Sequence, residues 1–518
     1  MTATQRWTLT ATVLSSAVVF LDSTVVNVAL PRISRELPTA LFGRLEAQSY
    51  VYNGYLLTLS ALLILAGALS DAYGRKRVFG IGLIGFALTS LLCGVAPSME
   101  LLIVARLLQG VSGALLVPGA LALIGASFAP SEQGRAFGIW SSASAAMTII
   151  GPTVGGVLVD GAGWRWAFLL NLPLLAVALV VLHRIALADS RLEGNARFDW
   201  LDFDWLGAAV IGLAVGGLAF GAIRGQERNW QDVSAFIALG IGVVATLAFV
   251  PLMRASSHPL VPLSLFASRN FAVINLSTFL IYGALYVSGY YQAIFLQGTL
   301  GYTALAAGLS SLPTGVLLSL FSARVGGLSA QYGLRVFLTL GPALMALGML
   351  WLARLPGGSA AWTAKIADPV SLIPSSGYLT DVLPGLLVFG LGLVLLVAPL
   401  TTGLMASVPQ SRTGLGSAIN NAISRVGPQL AGALIFVFVT LSFYASLSQQ
   451  TGLDGNSSAV RAQFAPLGAP AGTVSPSQQA AARAASHGAF SLAMLLCAAL
   501  LFSGAVVNGL GLQRDAAS

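Results

Sequence analysis

The chain consists largely of apolar stretches, each long enough to cross a lipid bilayer as one helix. A membrane-spanning helix needs about 20 apolar residues, because a rise of about 1.5 Å per residue then matches a hydrocarbon core about 30 Å thick. We predict fourteen such spans, and an even number places both termini on the same side of the membrane. The predicted spans are 7–31, 48–69, 78–96, 99–127, 135–159, 166–187, 205–224, 233–253, 270–296, 303–323, 333–354, 384–408, 413–442 and 488–511.

Charged residues are too few to cover a surface that faces water. They make up 8% of the 518 residues, against roughly 25% in a soluble domain, so a lipid bilayer is the expected environment. The formal net charge is +8, but no basic run is longer than Arg75-Lys76-Arg77. We therefore expect no nucleic-acid partner.

The distribution of lysine and arginine predicts the orientation in the membrane. Fourteen of them fall on the side of the N-terminus, ten fall on the other side, and two lie inside spans. The short loop with Arg75-Lys76-Arg77 strengthens this bias, because positive charge in short loops stays in the cytoplasm. We expect a multi-pass protein of the cytoplasmic (inner) membrane with both termini in the cytoplasm.

An internal repeat predicts the architecture. A glycine–proline pattern in the fifth span recurs in the thirteenth at one constant offset, and residues 67–74 are echoed more faintly by 326–333. The repeated positions are Gly138, Gly151-Pro152 and Gly156, and Gly414, Gly427-Pro428 and Gly432. Parallel repeats of this kind are typical of one large transporter architecture. We predict an all-α membrane protein with two six-helix halves, 1–187 and 270–518.

The connecting segments differ in character. The charged stretch 188–204 is expected to be a cytoplasmic linker, and the region 188–269 to hold this linker and two extra spans. The longest connections, 355–383 and 443–487, fall on the predicted outer side. Because 443–487 is rich in Ser, Ala, Gln and Gly, we expect it to be flexible.

Two charges lie deep inside predicted spans and at matching depth. Asp22 in the first span and Arg106 in the fourth both fall roughly 11–14 Å below the outer surface. Either charge alone would cost several kcal/mol in the membrane, whereas a pair offsets this cost. Asp22 is the candidate for reversible protonation, and a permanent ion pair that only fixes helix packing is the alternative.

Two further motifs shape helices and their connections. The first is the loop 67–77, in which acidic and basic residues at the ends of two spans can latch one conformation or simply signal topology; its candidate residues are Gly67, Asp71, Gly74, Arg75, Lys76 and Arg77. The second lies in the fifth span, where small residues and a proline allow close helix contact and a kink, or a plain packing face. Its candidate residues are Gly151, Pro152, Gly155 and Gly156.

Together with the string 21–31 of the first span and 106–110 of the fourth, these motifs resemble the major facilitator superfamily, specifically its fourteen-helix drug:proton antiporter branch (EmrB/QacA type). The resemblance implies a bacterial membrane protein in which Asp22 and Arg106 act in proton coupling. It also implies gating by the loop 67–77, and exchange with sealing against leak by the fifth-span motif. Two positions depart from the pattern: Tyr50 stands where tryptophan is frequent, and Ala330 replaces the acid in the second copy of the loop.

A group of polar and aromatic residues inside the spans is expected to line a substrate cavity. Arg425 has no acid at its depth in the C-terminal half, and it could meet a carbonyl, water, Asp22 or an anionic group of a substrate. The tyrosines could instead pack helices. The candidate cavity residues are Asn27, Tyr55, Gln109, Tyr282, Tyr286, Asn421 and Arg425.

Other mechanisms lack their residues. Neither lysine of the chain, Lys76 or Lys365, stands in a Gly-Lys-Ser/Thr phosphate loop, which disfavours an ATP-driven pump. The three histidines are scattered, and no nucleophile–base pair is evident, so we expect no enzyme, no metal and no cofactor. A non-transporting membrane sensor or scaffold is also disfavoured, because such a protein would have no need for a buried titratable group such as Asp22.

The sequence therefore predicts proton-coupled efflux of lipophilic small molecules that are neutral or monovalent. A dedicated exporter of an endogenous lipid, siderophore or antibiotic on the same fold is the alternative. The resemblance implies a monomer.

Overall fold

The computed structural model describes residues 1–38, 44–185, 203–227, 230–365, 368–455, 457–470 and 473–513, and most of the predicted linker 188–204 lies outside them. Within these ranges the fold is helical, and β pairing is limited to an isolated bridge between Lys365 and Asp368. The helices are α1 (Ala3–Glu36), α2 (Arg44–Tyr73), α3 (Arg75–Gly94), α4 (Met99–Ser127), α5 (Pro130–Gly161), α6 (Trp166–Leu169), α7 (Asn171–His183), α8 (Trp205–Glu227), α9 (Val233–Ala255), α10 (Ser264–Ala267), α11 (Arg269–Ile294), α12 (Ala304–Ser310), α13 (Leu312–Tyr332), α14 (Leu334–Leu352), α15 (Leu383–Ala406), α16 (Thr413–Thr451), α17 (Ser458–Gln463) and α18 (Pro476–Gly511).

The predicted spans coincide with these helices. In the described part of the chain, thirteen helices are long and apolar enough to cross a membrane. The predicted span 135–159 is α5, which has 32 residues but is interrupted by serines and glycines that lower its hydropathy. With α5 included, each of the fourteen predicted spans contains at least one helix.

Two predicted spans are broken near one end. The span 166–187 divides into α6 and α7, and the span 303–323 divides into α12 and α13. A proline, Pro173 or Pro313, stands within the first turn of the second helix of each pair. Proline is tolerated there because the backbone N–H of the first turn has no intrahelical partner, but it cannot continue a helix from the preceding turn.

The helices pack in two groups with a pair between them. Helix α1 packs on α4, α5 and α7, whereas α11 packs on α16 and α18, and α14 on α15 and α18. Contact between the groups runs through α2 with α16 and α5 with α13. Helix α8 of the pair α8–α9 lies against α2 and α16. On this packing we base the proposed division into 1–187, 188–269 and 270–518.

The repeat seen in the sequence has the same local geometry in both copies. Gly74 between α2 and α3 has φ of 98°, and Gly333 between α13 and α14 has φ of 86°. Such values are accessible to glycine without the steric cost that a Cβ would bring. Each glycine thereby lets one helix end and the next begin without an intervening loop. The tight connection at Gly74 defines what we call the Gly74 end of the bundle.

The expectation of a flexible segment over 443–487 is wrong. Helix α16 continues to Thr451, α18 begins at Pro476, and Phe464 and Leu467 between them are buried. The Tyr444 hydroxyl donates to the Phe464 carbonyl oxygen at 2.8 Å. Buried apolar side chains hold this Ser- and Gly-rich connection on the bundle, and composition alone does not reveal them.

Candidate functional site

Asp22 lies in α1 and is fully buried among three side chains that donate to it. Its Oδ2 accepts from Arg106 Nη1 at 2.5 Å, and this ion pair has no exposed surface on either side. Its Oδ1 accepts from Asn171 Nδ2 at 3.0 Å and from Gln109 Nε2 at 3.3 Å. The structure thus brings together the two charges that the sequence placed at matching depth.

Arg106 is held on several sides. Its Nε donates to the Val51 carbonyl oxygen of α2 at 3.1 Å, and its Nη1 also donates to Gln109 Oε1 at 2.7 Å. Its guanidinium lies 4.2 Å from the centroid of the Tyr55 ring and 5.8 Å from that of Phe168. A desolvated cation gains from the face of an aromatic ring, so α2 and the segment before α7 both stabilise the buried charge.

Sequence reasoning missed two residues of this site. Ser90 of α3 accepts with its hydroxyl oxygen from Gln109 Nε2 at 2.8 Å and from Asn171 Nδ2 at 3.1 Å. Both Ser90 and Asn171 have no exposed surface. The available signal was an amide inside an apolar span, since polar side chains in spans usually face the protein interior.

Tyr55 and Gln109 lie next to the Arg106 guanidinium. Both were expected to line the substrate cavity, but neither has exposed surface in this conformation. The reason is the Arg106 guanidinium, which draws the Gln109 amide oxygen and the Tyr55 ring around itself. They belong to the shell of the Asp22–Arg106 pair.

The fifth-span motif packs on the helix that carries Asp22. A Cβ added to Gly155 would lie 3.1 Å from the Cα of Val25, and one added to Gly151 would collide with the Thr24 side chain. Pro152 and Gly156 also lie in α5, but their surroundings are outside the described part of the structure. The two glycines therefore let α5 approach α1 two to three residues beyond Asp22.

The loop motif connects the two groups of helices at the Gly74 end. Asp71 of α2 accepts from the backbone N–H of Gly414 at 3.2 Å and from that of Leu415 at 2.8 Å, at the start of α16. The first N–H groups of a helix have no intrahelical partner, and the helix dipole favours negative charge there. Asp71 therefore caps a helix of the other group.

Basic residues of the loop have separate partners. Arg75 contacts Asp71 (3.4 Å between Nε and Oδ1) and donates to the Gln410 carbonyl oxygen. Lys76 donates to the Ile185 carbonyl oxygen at 2.7 Å, whereas Arg77 is exposed. Gly67, one turn before Asp71, allows close contact with α16, because a Cβ there would lie 2.6 Å from the Gly414 carbonyl oxygen.

The remaining candidates make no described hydrogen bond to Asp22 or Arg106, and all but Asn27 lie on α11 and α16. The rings of Tyr282 and Tyr286 are 6.2 Å apart, and Tyr286 is 55% exposed. Asn421 donates to the Ser417 carbonyl oxygen one turn before it, and Arg425 is half-buried on the same helix. Asn27 lies in α1, with its side chain outside the described part.

Tyr50, one of the two departures, has a partner that explains it. The Arg224 Nη1 of α8 donates to the Tyr50 hydroxyl oxygen at 3.2 Å, and the Arg224 Nε pairs with Asp232 at 2.8 Å. A tryptophan could not accept this hydrogen bond, since its indole N–H only donates. Tyr50 thus ties α2 to the central pair α8–α9.

Comparison with known sequences gives the family. A family model described as Major Facilitator Superfamily matches residues 12–432. The multidrug resistance protein Stp of Mycobacterium tuberculosis (strain H37Rv) is 34% identical over 436 residues, which cover 84% of this chain and 76% of that protein. The puromycin resistance protein pur8 of Streptomyces alboniger is 31% identical over 434 residues, 83% of this chain and 80% of that protein. The probable actinorhodin transporter of Streptomyces coelicolor is 31% identical over 482 residues, which cover 90% of this chain and 77% of that protein.

Solved structures share the fold at low sequence identity. A crystal structure of the human organic anion transporter MFSD10 superposes with a TM-score of 0.58 at 15% identity, over 96% of this chain and 99% of that chain. A double-tryptophan variant of XylE superposes with a TM-score of 0.60 at 14% identity, over 99% of this chain and 96% of that chain. The chain belongs to the major facilitator superfamily, a family of transporters, and its relatives are consistent with the drug:proton antiporter branch that its motifs indicate.

Proposed function

We propose that the protein is a proton-coupled secondary transporter that exports lipophilic small molecules across the bacterial cytoplasmic membrane. Relatives named for multidrug resistance and for resistance to single antibiotics support the direction and the class of cargo. The observation that carries proton coupling is the Asp22–Arg106 pair, a titratable group without exposed surface at the centre of a hydrogen-bonded network. In this proposal the protein acts as a monomer with both termini in the cytoplasm.

Protonation of Asp22 changes what its neighbours can do. The carboxylate is stabilised by Arg106, Asn171 and Gln109 and is closed off from water. A proton on Asp22 cancels its charge and weakens the hold on Arg106, which then needs water or another acceptor. The protonated and deprotonated forms therefore favour different separations of α1 from α4, and that difference is what couples the proton to a conformational change.

In this proposal, the bundle opens and closes at its Gly74 end. Opening the bundle there requires α2 to leave α16, which breaks both hydrogen bonds from the α16 backbone to Asp71. Charge at a helix N-terminus stabilises by about 0.3–2 kcal/mol, so this latch is strong enough to bias a conformational equilibrium but weak enough to open. In our proposal it holds the state that is closed towards the cytoplasm.

The packing of α5 on α1 links the two processes. Gly155 rests on Val25, three residues from Asp22. A shift of α1 on protonation is therefore felt by α5, which also contacts α13 of the other group: a Cβ on Gly134 would lie 2.7 Å from the Gly326 carbonyl oxygen. This contact chain gives the antiporter motif a mechanical role.

A dedicated exporter of one endogenous compound is the second candidate. The relatives that favour it are those named for a single compound, puromycin or actinorhodin, instead of multidrug resistance. Transport of one antibiotic with exclusion of unrelated lipophilic dyes would select this alternative, without changing the fold or the coupling residues.

The test is transport in liposomes with an acidic lumen. Three probes of different charge, ethidium, Nile red and naphthalene-1-acetate, are offered outside, and uptake is compared between wild type and Asp22→Asn. We expect gradient-driven uptake of at least one probe by wild type, and uptake at the level of protein-free liposomes for Asp22→Asn. The amide keeps hydrogen-bonding groups but cannot exchange a proton near neutral pH.

Asp368→Asn serves as the matched control, since it removes one acid from the segment after α14, far along the chain from α1. It should transport like wild type. Equal gradient-driven uptake by Asp22→Asn and wild type would contradict the coupling role and leave Asp22 as a structural partner of Arg106. Probe binding retained by Asp22→Asn, measured without a gradient, shows that the variant is folded.

A further inference from the structure

Arg425 is a membrane-embedded charge that pairs with none of the side chains that the structure describes. It lies in α16, is half-buried, and makes no hydrogen bond or ion pair with any residue that the structure describes. An arginine inside a span is costly unless water, a carbonyl or an anion compensates its charge. Arg106, by contrast, is fully buried and paired. The described part of the protein therefore supplies no compensating group to Arg425.

The surroundings of Arg425 point across the interface between the two groups of helices. Arg425 lies within electrostatic range of Tyr52 and Tyr55 of α2, and Tyr286 of α11 lies within electrostatic range of Tyr52. Tyr52 and Arg425 are each partly exposed, and Tyr286 is more than half exposed. One cation, two accessible aromatic rings and Asn421 one turn before Arg425 thus border the same space between α2, α11 and α16.

No described acid is free to neutralise this space. Asp22 is closed off and balanced by Arg106. Asp71 is engaged with the N-terminus of α16, and Arg425 lies roughly 15 Å further along that helix than Leu415. The other described acids stand near helix ends or in connections between helices. Among the described side chains, the positive charge of Arg425 between α2 and α16 therefore has no acid to balance it.

We propose that this space selects lipophilic organic monoanions, with Arg425 as the anchor for a carboxylate. The inference rests on the proposed export function and names the substrate class of that same site. A guanidinium binds a carboxylate through two parallel hydrogen bonds, and the tyrosine rings accept the apolar body of the molecule. Pairing removes the net charge of both partners, which allows an anion to pass the centre of the membrane. A lipophilic cation meets repulsion instead.

The experiment compares three molecules with one aromatic skeleton and different charge. Naphthalene-1-acetate, naphthalene-1-acetamide and (1-naphthylmethyl)trimethylammonium are radiolabelled, and their binding to wild-type protein in lipid nanodiscs is measured against empty nanodiscs. We expect the anion to bind at least about ten-fold more tightly than the amide, as a charge-assisted pair implies. The cation should bind most weakly. In Arg425→Gln the advantage of the anion should fall below about two-fold while the amide is unaffected.

Two variants make the result specific. Arg324→Gln removes one exposed arginine from α13 and should leave the order unchanged, whereas Arg425→Lys keeps the charge without the two-pronged geometry and should keep part of the preference. A wild type that prefers the cation, binds none of the three, or keeps its preference in Arg425→Gln overturns the proposal. If Arg425→Gln does not fold, the order in wild type and Arg425→Lys decides. Because binding is measured without a pH gradient, failure of proton coupling in the liposome assay would leave this result standing.

Discussion

The two groups of helices handle buried charge in opposite ways. In the first, Asp22 and Arg106 are enclosed by Gln109, Asn171 and Ser90, and nothing in the network reaches solvent. In the second, Arg425 stands half-buried without a described partner. A closed pair can store and release a proton but offers no surface to a cargo, whereas an open cation can bind cargo but stores no proton. We therefore propose that proton coupling takes place on one side of the bundle and substrate recognition on the other.

The second group does contain a buried polar cluster, but a neutral one. Asn420 of α16 donates to Asn275 Oδ1 at 3.2 Å and to Thr278 Oγ1 at 2.9 Å on α11. Amides and hydroxyls fasten helices without titrating near neutral pH. The buried polar contact in the first group joins α1 and α4 and uses an acid and a base. Both groups therefore fasten helices with buried polar side chains, and among the described residues the buried acid–base pair lies in the first group.

The largest expected effect is on stability. Arg106→Gln leaves Asp22 buried without its counter-ion, and breaking a buried pair costs about 3–5 kcal/mol. Arg425→Gln breaks no described contact and should change the free energy of unfolding by less than about 0.5 kcal/mol. Both are measured by denaturant unfolding in detergent micelles, with purified wild type as reference.

The double variant Asp22→Asn/Arg106→Gln is the control for this comparison. Because it removes both charges, it should be more stable than Arg106→Gln alone, with a coupling of at least about 1 kcal/mol. Additive losses in the double variant, or equal losses for Arg106→Gln and Arg425→Gln, would show that the two arginines do not differ in the way described above.

Much of the fold follows from the sequence, because the length of an apolar span is a local property. The fourteen spans, the echo at Gly74 and Gly333, and the meeting of Asp22 with Arg106 were all predictable from spacing and depth. The roles of Ser90 and Asn171 were not, since they depend on how α3 and α7 are rotated about their axes. The anchoring of 443–487 was not predictable either, because it depends on where the side chains of Phe464 and Leu467 pack on the bundle.

The next effect concerns the latch between Asp71 and the backbone of α16. The second copy of the loop has Ala330 in place of this acid. Asp71→Asn keeps an acceptor oxygen for the α16 backbone but removes the charge that the helix dipole favours. We expect a loss of about 1–2 kcal/mol in the closed state, which raises the open population roughly five- to thirty-fold. Distances between spin labels at the exposed positions 77 and 412, one on each side of the latch, report it.

Asp381→Asn provides a comparison for the latch, since it changes an acid in the segment before α15 that pairs with Ser359 and Thr380 within the second half. Its distance distribution should match that of wild type. An unchanged distribution in Asp71→Asn would mean that helix packing, and not the Asp71 charge, holds the Gly74 end closed.

The smallest expected effect comes from comparing the buried pair Asp22–Arg106 with the exposed pair Arg32–Glu36, which also lies on α1. At the far end of α1 from the N-terminus, Glu36 accepts from Arg32 at 2.7 Å and from the Trp164 indole at 3.0 Å, and both charged side chains are 41% exposed. The hydrogen bond from Arg32, with smaller help from its charge and from Trp164, holds the pKa of Glu36 below its ordinary value of 4.5. The folded protein therefore binds the carboxylate form more strongly. This contribution is complete above pH 4.5 and is lost as the pH falls through the lowered pKa.

Glu36→Gln keeps the acceptor for Trp164 but loses the charge, so it should lower the unfolding midpoint at pH 7 by at most about 2 °C, since exposed pairs contribute little. Thermal scans of wild type and Glu36→Gln from pH 7 to about pH 3 should converge. A difference that stays constant across this range, or that matches the loss in Arg106→Gln, would mean that burial does not distinguish the two pairs.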